Sequence, residues 1–319
     1  QFYKNLMSLK KFIDPITNVT SLASINSYNF VGKGDKNAAD QAAVDSMRKE
    51  LNNIHFDGEV VIGEGEMDEA PMLYIGEKLG LGGDISVDIA VDPLDGTKLA
   101  ADNKPNAVSV IAISNSNCFL RAPDMYMEKI SVGPELPNNI INLEDPLTKN
   151  IEKLAKAKKK DIINIKVCLL DRPRHKKQID ILKNMNCKLK LITDGDVVGA
   201  MQASLHDSDV DMYLGTGGAP EGVLAAAAIK CLGGQFQGRL VFNSKDEELK
   251  ASKMGIQNFE KIYSINDLVK DDVIFSCTGV TSGDLVEGIK KVNNRFTTET
   301  FSMHFQSKTI QKIKKEYVI

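Results

Sequence analysis

Residues 83–97 read GDISVDIAVDPLDGT, and the fold turns on how that stretch is parsed. Val87, Ile89 and Val91 alternate with Asp88, Ala90 and Asp92, the two-residue period of an extended strand with one apolar and one acidic face. Pro93 has no amide proton to give a ladder, so the strand is expected to stop there with Asp92 at its tip. The chain then turns through Leu94 and presents Asp95, Gly96 and Thr97. Two carboxylates and a hydroxyl crowded this closely are costly unless a cation offsets them. Oxygen donors with no His or Cys beside them suit hard cations such as Mg²⁺ or Mn²⁺. D-P-x-D-G is also a local turn motif, because Asp, Pro and Gly each favour turns on their own account.

The same theme recurs along the chain: a short apolar run that stops at Gly or Pro among acids. Val60-Val61-Ile62 runs into GEGEMDE, Leu189 to Ile192 into TDGD, Met212-Tyr213-Leu214 into GTGGAPEG, and Val273-Ile274-Phe275 into SCTGVTSGD. Each reads as a buried strand delivering a functional loop. The segment up to Asn29 has helical spacing and is expected to form one or two helices. Residues 38–51 form a clearer helix, with Ala42, Ala43, Met47 and Leu51 available for one face. Glu221 to Cys231 is Ala-rich, with Pro220 suited to a first turn and Gly233-Gly234 just past the end. The 278–284 loop, TGVTSGD, has two readings, an anion-binding loop through its glycine backbone or a tight strand-to-helix turn, and the turn is the one expected. Alternating strands and helices predict a layered α/β protein. A chain of 319 residues exceeds what one core usually serves. The polar, lysine-rich stretch at 145–160 is the expected boundary, between an N-terminal domain (1–150) carrying the acidic motifs and a C-terminal domain (151–319) completing the site.

Composition excludes several classes of function. Net charge is -3, so no global basic field draws in nucleic acid or anionic lipid. The five cysteines, Cys118, Cys168, Cys187, Cys231 and Cys277, are scattered without a C-x-x-C pair, which argues against a disulfide framework or a zinc site. No apolar run is long enough for a membrane span, and no charged head with an apolar centre opens the sequence. A cytoplasmic location is therefore expected. The four histidines are sparse, and only His175, in RPRH, is a candidate neighbour of a site. Gly32 and Gly34 do not make a dinucleotide fingerprint, because Asn37 occupies the third glycine position. One acidic cluster is ordinarily surface. Four at the ends of apolar runs, around Asp40, Glu64, Asp92–Asp95 and Glu221, predict a converging site.

D-P-L-D-G-T resembles the metal-binding signature of the superfamily containing inositol monophosphatases and fructose bisphosphatases. GKGDKNAAD (32–40), VIGEGEMDEAPMLYIGE (61–77), APDMYMEK (122–129), RPRH (172–175), DGDV (194–197) and GGAPEGV (217–223) are together similar to the class II, or GlpX-type, fructose-1,6-bisphosphatase family. In order and spacing the resemblance runs from about residue 20 to the TTET segment at 297–300. It implies the layered α/β sandwich of the sugar phosphatases, Mg²⁺ or Mn²⁺ as cofactor, and a homodimer or homotetramer. It implies metal ligation by Asp40, Glu64, Asp92, Asp95 and Glu221, with Thr97, Asp92 and Lys36 catalytic. Asp95, Gly96, Thr97, Tyr126, Arg172, Arg174, Asp194, Asp196 and Glu221 fall at substrate-contacting positions. At Arg172 many relatives carry lysine, and at Asp95 many carry glutamate.

The implied activity is removal of the 1-phosphate of fructose 1,6-bisphosphate in gluconeogenesis, with sedoheptulose 1,7-bisphosphate a further substrate in some relatives. Thr97 would orient the attacking water and Lys36 would add positive charge. Tyr126, Arg172 and Arg174 would hold the sugar and its distal phosphate, while Asp194 and Asp196 accept sugar hydroxyl protons. If Gly96-Thr97 opens a helix, its amides add an anion-binding end. Asp68 is expected to support the metal ligands. Two other functions compete: an inositol-phosphatase-like phosphomonoesterase, and a non-catalytic sugar-phosphate-binding regulator that would have lost a metal carboxylate or the threonine.

Overall fold

The computed structural model describes residues 9–65 and 72–319 of the chain. They form two compact units, Gln1–Leu120 with Val269–Ile319, and Arg121–Leu268. Both are mixed α/β. Among the described residues no helix is long and apolar enough to cross a membrane.

The first unit is built on an eight-stranded sheet. Its strands are β1 (Asp57–Ile62), β2 (Lys78–Leu79), β3 (Ser86–Asp95), β4 (Val108–Asn115), β11 (Val273–Gly279), β12 (Lys290–Val292), β13 (Arg295–His304) and β14 (Thr309–Val318). They run in the order β12-β13-β11-β4-β3-β1-β2, with β14 paired to β13. β1 and β3 are parallel, and the other pairings are antiparallel. Two helices, Ile13–Tyr28 and Lys36–Leu51, cover the face bearing Val87, Ile89 and Val91 and share one core with them. The second of these begins two residues before the sequence-based start, because the Asp35 side chain accepts a hydrogen bond from the Ala38 amide at 3.0 Å and caps it.

Between the Ile13–Tyr28 helix and strands β11 and β13 the contact is a seam of buried hydroxyls. Thr20 meets Ser276 at 2.9 Å, Thr278 donates to Thr20 at 2.8 Å, and Ser21 meets Thr300 at 3.2 Å. Satisfied polar groups of this kind fix the helix in one register on the sheet at no unpaired cost.

The second unit carries a six-stranded sheet in the order β10-β9-β5-β8-β6-β7. The strands are β5 (Tyr126–Val132), β6 (Lys166–Leu170), β7 (Lys188–Ile192), β8 (Met212–Gly218), β9 (Gln235–Val241) and β10 (Ile262–Ser264). β6 is parallel to β7 and β8, and the remaining pairs are antiparallel. The Ala219–Leu232 helix has Pro220 in its first turn and ends on Gly233 in the left-handed region. It is buried from Gly222 to Lys230, which explains its run of alanines: only small side chains allow close approach on every side.

Three expectations are corrected. β3 does not stop at Asp92 but continues to Asp95, with a register shift against β4 between Asp92 and Asp95. A bulge tolerates Pro93, because the extra residue need not donate to the ladder. TGVTSGD leads from β11 through a loop to β12, and no helix follows it. The lysine-rich stretch near residue 150 lies within the second unit, where Leu147–Lys158 is an amphipathic helix burying Ile151, Leu154 and Ala155 in that unit's core.

Candidate active site

In the first unit the bulge in β3 decides the geometry. Positions 92 and 95 are three apart, so a regular strand would send them to opposite faces. The inserted residue restores both to one side. Both carboxylates bear on the Cys277 thiol of β11, whose pKa is driven well above its ordinary value by burial first, then by Asp95 and Asp92. Cys277 therefore stays a neutral thiol, and the donors it faces are oxygens. Asp95 is only 5% exposed.

Gly96 follows with φ 87° and caps a helix of five residues, Thr97–Ala101. A side chain at 96 would be strained by that φ and would also press on Leu99. Thr97 thus opens a helix, though one too short to carry a macrodipole of weight.

The GKGDKNAAD segment is tied to this short helix. The amide of Gly32 donates to the Ala100 carbonyl and that of Gly34 to the Ala101 carbonyl, both at 3.0 Å. Lys36 and Asp40 then enter on the first turns of the Lys36–Leu51 helix, which packs on Thr97–Ala101. Lys36 is exposed. A lysine at a helix start opposes the dipole, so its place there does not serve the helix. Asp40 is half-buried, and its Oδ1 is buried with no hydrogen-bond partner. Burial raises its carboxyl from 3.8 to about 6. Glu64, half-buried, follows β1, with its amide bound to the Leu73 carbonyl at 2.9 Å. Asp68, with Glu66 and Glu69, lies outside the described residues. Asp88, on the acidic face of β3, is structural: its Oδ2 accepts from the amides of Cys118 and Phe119 at 2.9 and 3.2 Å.

The other residues expected from the sequence lie in the second unit. Tyr126, at the start of β5, is 45% exposed, and the Arg174 guanidinium stacks over its ring at 4.8 Å. Arg174 Nε donates to the Thr216 carbonyl at 2.8 Å, which fixes the guanidinium beside the Gly-rich end of β8. Arg172 precedes the short 3-10 turn Pro173–His175 and is half-buried.

His175 is a structural clip. Its Nε2 accepts from the Thr216 amide at 2.7 Å, which leaves Nδ1 to donate to the Leu170 carbonyl at 2.8 Å. That tautomer is neutral, and burial, with Arg174 and Arg172 nearby, lowers the pKa from its ordinary value.

Asp194 accepts from the Gly195 amide at 3.1 Å and is half-exposed. Asp196 differs: it is buried, and its Oδ2 receives the Lys129 ammonium at 2.6 Å and the Tyr213 hydroxyl at 3.5 Å. One oxygen of this carboxylate, expected to accept sugar hydroxyls, is thus engaged by the protein's own lysine. Glu221 stands in the first turn of the Ala219–Leu232 helix with Oε2 buried and without a hydrogen-bond partner. Its pKa is raised by burial and by Asp196, against the lowering pull of Lys129. A Cβ at Gly218 would collide with that Oε2, so the glycine is what lets the carboxylate lie against the strand end.

Lys129 was the residue sequence reasoning passed over. It ends the APDMYMEK motif, and its signal is a lysine at an inward position of a strand whose neighbours Met127 and Ser131 are both buried. Among the described residues no three His, Cys, Asp or Glu side chains already stand together as a closed ion-binding group. The donor chemistry nevertheless fits a hard divalent cation: carboxylate oxygens throughout, with Asp40 Oδ1 and Glu221 Oε2 buried and unsatisfied.

The sequence pattern of the bacterial, glpX-encoded fructose-1,6-bisphosphatases matches residues 10–317. A class 2 fructose-1,6-bisphosphatase of Haemophilus influenzae is 46% identical over 309 residues, covering 92% of each chain. Fructose-1,6-bisphosphatase 1 class 2 of Escherichia coli is 44% identical over 309 residues, 92% of this chain and 91% of its own. A Shigella flexneri class 2 enzyme has the same identity and coverage.

Proposed function

The chain belongs to the bacterial glpX-encoded fructose-1,6-bisphosphatase family, and from that membership we propose that it hydrolyses fructose 1,6-bisphosphate to fructose 6-phosphate and phosphate. The observation that carries this is the family match running through every motif named above, together with two buried carboxylate oxygens, on Asp40 and Glu221, that the protein itself does not satisfy. The finer assignments are the sugar-phosphatase sandwich, Mg²⁺ or Mn²⁺ as the cation, a homodimer or homotetramer, and a cytoplasmic setting.

Asp40, Glu64, Asp92, Asp95 and Glu221 would hold the cation. When bound, it supplies charge to offset the phosphoryl oxygens and lowers the pKa of water. Hydrolysis needs in-line geometry and compensation of that charge more than it needs covalent help. Water oxygen attacks phosphorus, the bond from phosphorus to the sugar's O1 breaks, and O1 gains a proton. Thr97 Oγ1 orients the attacking water, and a neighbouring carboxylate takes its proton. Lys36 adds positive charge against the transferring group. Tyr126 and Arg174, already stacked, hold the distal phosphate with Arg172, whose planar fork binds phosphate with two parallel hydrogen bonds. Asp194 accepts from a sugar hydroxyl.

Phosphate release tests this directly. Fructose 1,6-bisphosphate is hydrolysed with Mg²⁺ or Mn²⁺ and not with chelator, and sedoheptulose 1,7-bisphosphate in parallel sets the substrate range. Absence of release under all metal conditions would end the proposal.

A further inference from the structure

Two carboxylates of the second unit, Asp196 and Glu221, share one internal counter-charge. Lys129, on β5, is 1% exposed and meets Asp196 Oδ2 at 2.6 Å, while Glu221 lies in the field of both. A buried ammonium forfeits its hydration, so an apolar side chain would fill this place at lower cost. The buried neighbours Met127, Ile130 and Val132 show what the strand otherwise uses.

The surroundings are cut to admit the pair. A Cβ at Gly217 would strike Asp196 Oδ2 and come within 3.1 Å of Lys129 Nζ, and one at Gly222 would come within 3.3 Å of Lys129 Cε. Gly217 and Gly218 end β8, and Gly222 sits one residue after Glu221. The lysine thus joins three segments: the start of the Asp196–Met201 helix, the end of β8, and the turn that carries Glu221.

We propose that Lys129 is a positioning residue of the active centre: clamped to Asp196, it fixes the end of β8 and the first turn of the Ala219–Leu232 helix so that the Glu221 carboxylate is presented to a divalent cation. This rests on the metal-dependent phosphatase function proposed above. Lys129 touches neither the substrate nor the cation. It acts through Asp196 and Glu221, as outer partners of ligating carboxylates do.

The test uses the full chain and Mn²⁺ binding measured by titration calorimetry, alongside kinetics. In Lys129→Met the Mn²⁺ dissociation constant rises about tenfold or more, and the Mn²⁺ needed for half-maximal phosphate release rises with it. KM for fructose 1,6-bisphosphate at saturating Mn²⁺ stays within about threefold, a split that a general loss of packing does not produce. Lys129→Met leaves Asp196 an uncompensated buried anion, so the neutral pair Lys129→Met/Asp196→Asn is measured with it, by Mn²⁺ binding and thermal melting. The double variant is expected to melt like the wild type and to bind Mn²⁺ as weakly as the single one. Wild-type Mn²⁺ affinity in the double variant overturns the inference. Failure of the double variant to fold also overturns it, since the pair would then serve folding alone. A wild-type chain that binds no Mn²⁺ and releases no phosphate defeats the phosphatase function itself, a separate outcome.

Discussion

Two acidic pairs, one in each unit, have different surroundings. Asp92 and Asp95 of the first unit are set on one side of β3 by a bulge, with a neutral thiol for company. Asp196 and Glu221 of the second unit are set around an internal ammonium. Among the described residues the buried lysines, Lys129 and Lys230, both belong to the second unit. In the first unit the buried Glu77 and Glu299 pair instead with the more exposed Arg48 and Lys314. In the second unit Asp196 is balanced as folded by the buried Lys129. The same residue type is proposed as a ligand in one setting and stands as an anchor in the other.

The sharpest way to break this contrast is at Asp92. Asp92→Asn is expected to lower kcat by roughly a thousandfold or more, because it removes a charge from the proposed cation-binding set. Near-normal steady-state rates would show that the first unit does not hold the cation. Thr97→Ala comes next, with kcat down on the order of a hundredfold and KM little changed, since the hydroxyl acts on the water and not on ground-state binding. Arg174→Ala acts on the other side of the contrast. It removes the group stacked on Tyr126, so KM rises about tenfold while kcat falls less.

Two pH effects sharpen the comparison further. In the metal-free protein Asp40 is protonated below about 6. Cation binding must then displace a proton, so the rise in melting temperature produced by Mn²⁺ shrinks as pH falls through that value and is full at pH 7.5. A rise independent of pH between 5 and 7.5 would exclude Asp40 from the ligand set. His175 gives the smallest effect. Its folded pKa lies below the ordinary 6.5, so its contribution to stability is present above that pH and is lost as pH falls below it. Thermal melts in chelator from pH 7.5 to 5 check the sign, and His175→Gln should flatten that part of the curve at the cost of a lower midpoint throughout.

Much of this architecture was legible in the sequence. The apolar runs ending at Ile62, Val91, Ile192, Leu214 and Phe275 all proved to be strands, because a short apolar run and its Gly- or Pro-marked exit are local features, but the run ending at Ile192 is an edge strand with no buried residue, contrary to the expectation. Pro220 and Gly233 bracketed their helix for the same reason. What escaped was non-local. The return of β11 to pair with β4, Val273 opposite Ser114, places Val269–Ile319 in the first unit, and nothing in the composition near residue 150 reports that pairing. The bulge at Pro93 escaped because a proline reads as a strand end unless the partner strand is known. Lys129 escaped because a lone lysine in YMEKISV looks solvated until both faces of the sheet prove to be covered. Asp88 shares the acidic face of its strand with Asp92, yet it holds two loop amides. Position in a strand gave the face, and only the neighbours gave the role.

The central claim is that carboxylates of Asp40, Glu64, Asp92, Asp95 and Glu221 together ligate one class of hard cation through oxygen alone. A crystal of the full chain soaked in Mn²⁺, with an anomalous difference map collected above the manganese edge, measures this most directly. The account predicts density within about 2.0–2.6 Å of oxygens from those residues and none at the Cys277 sulfur. Manganese bound at that sulfur, or only at sites away from all five carboxylates, would contradict it.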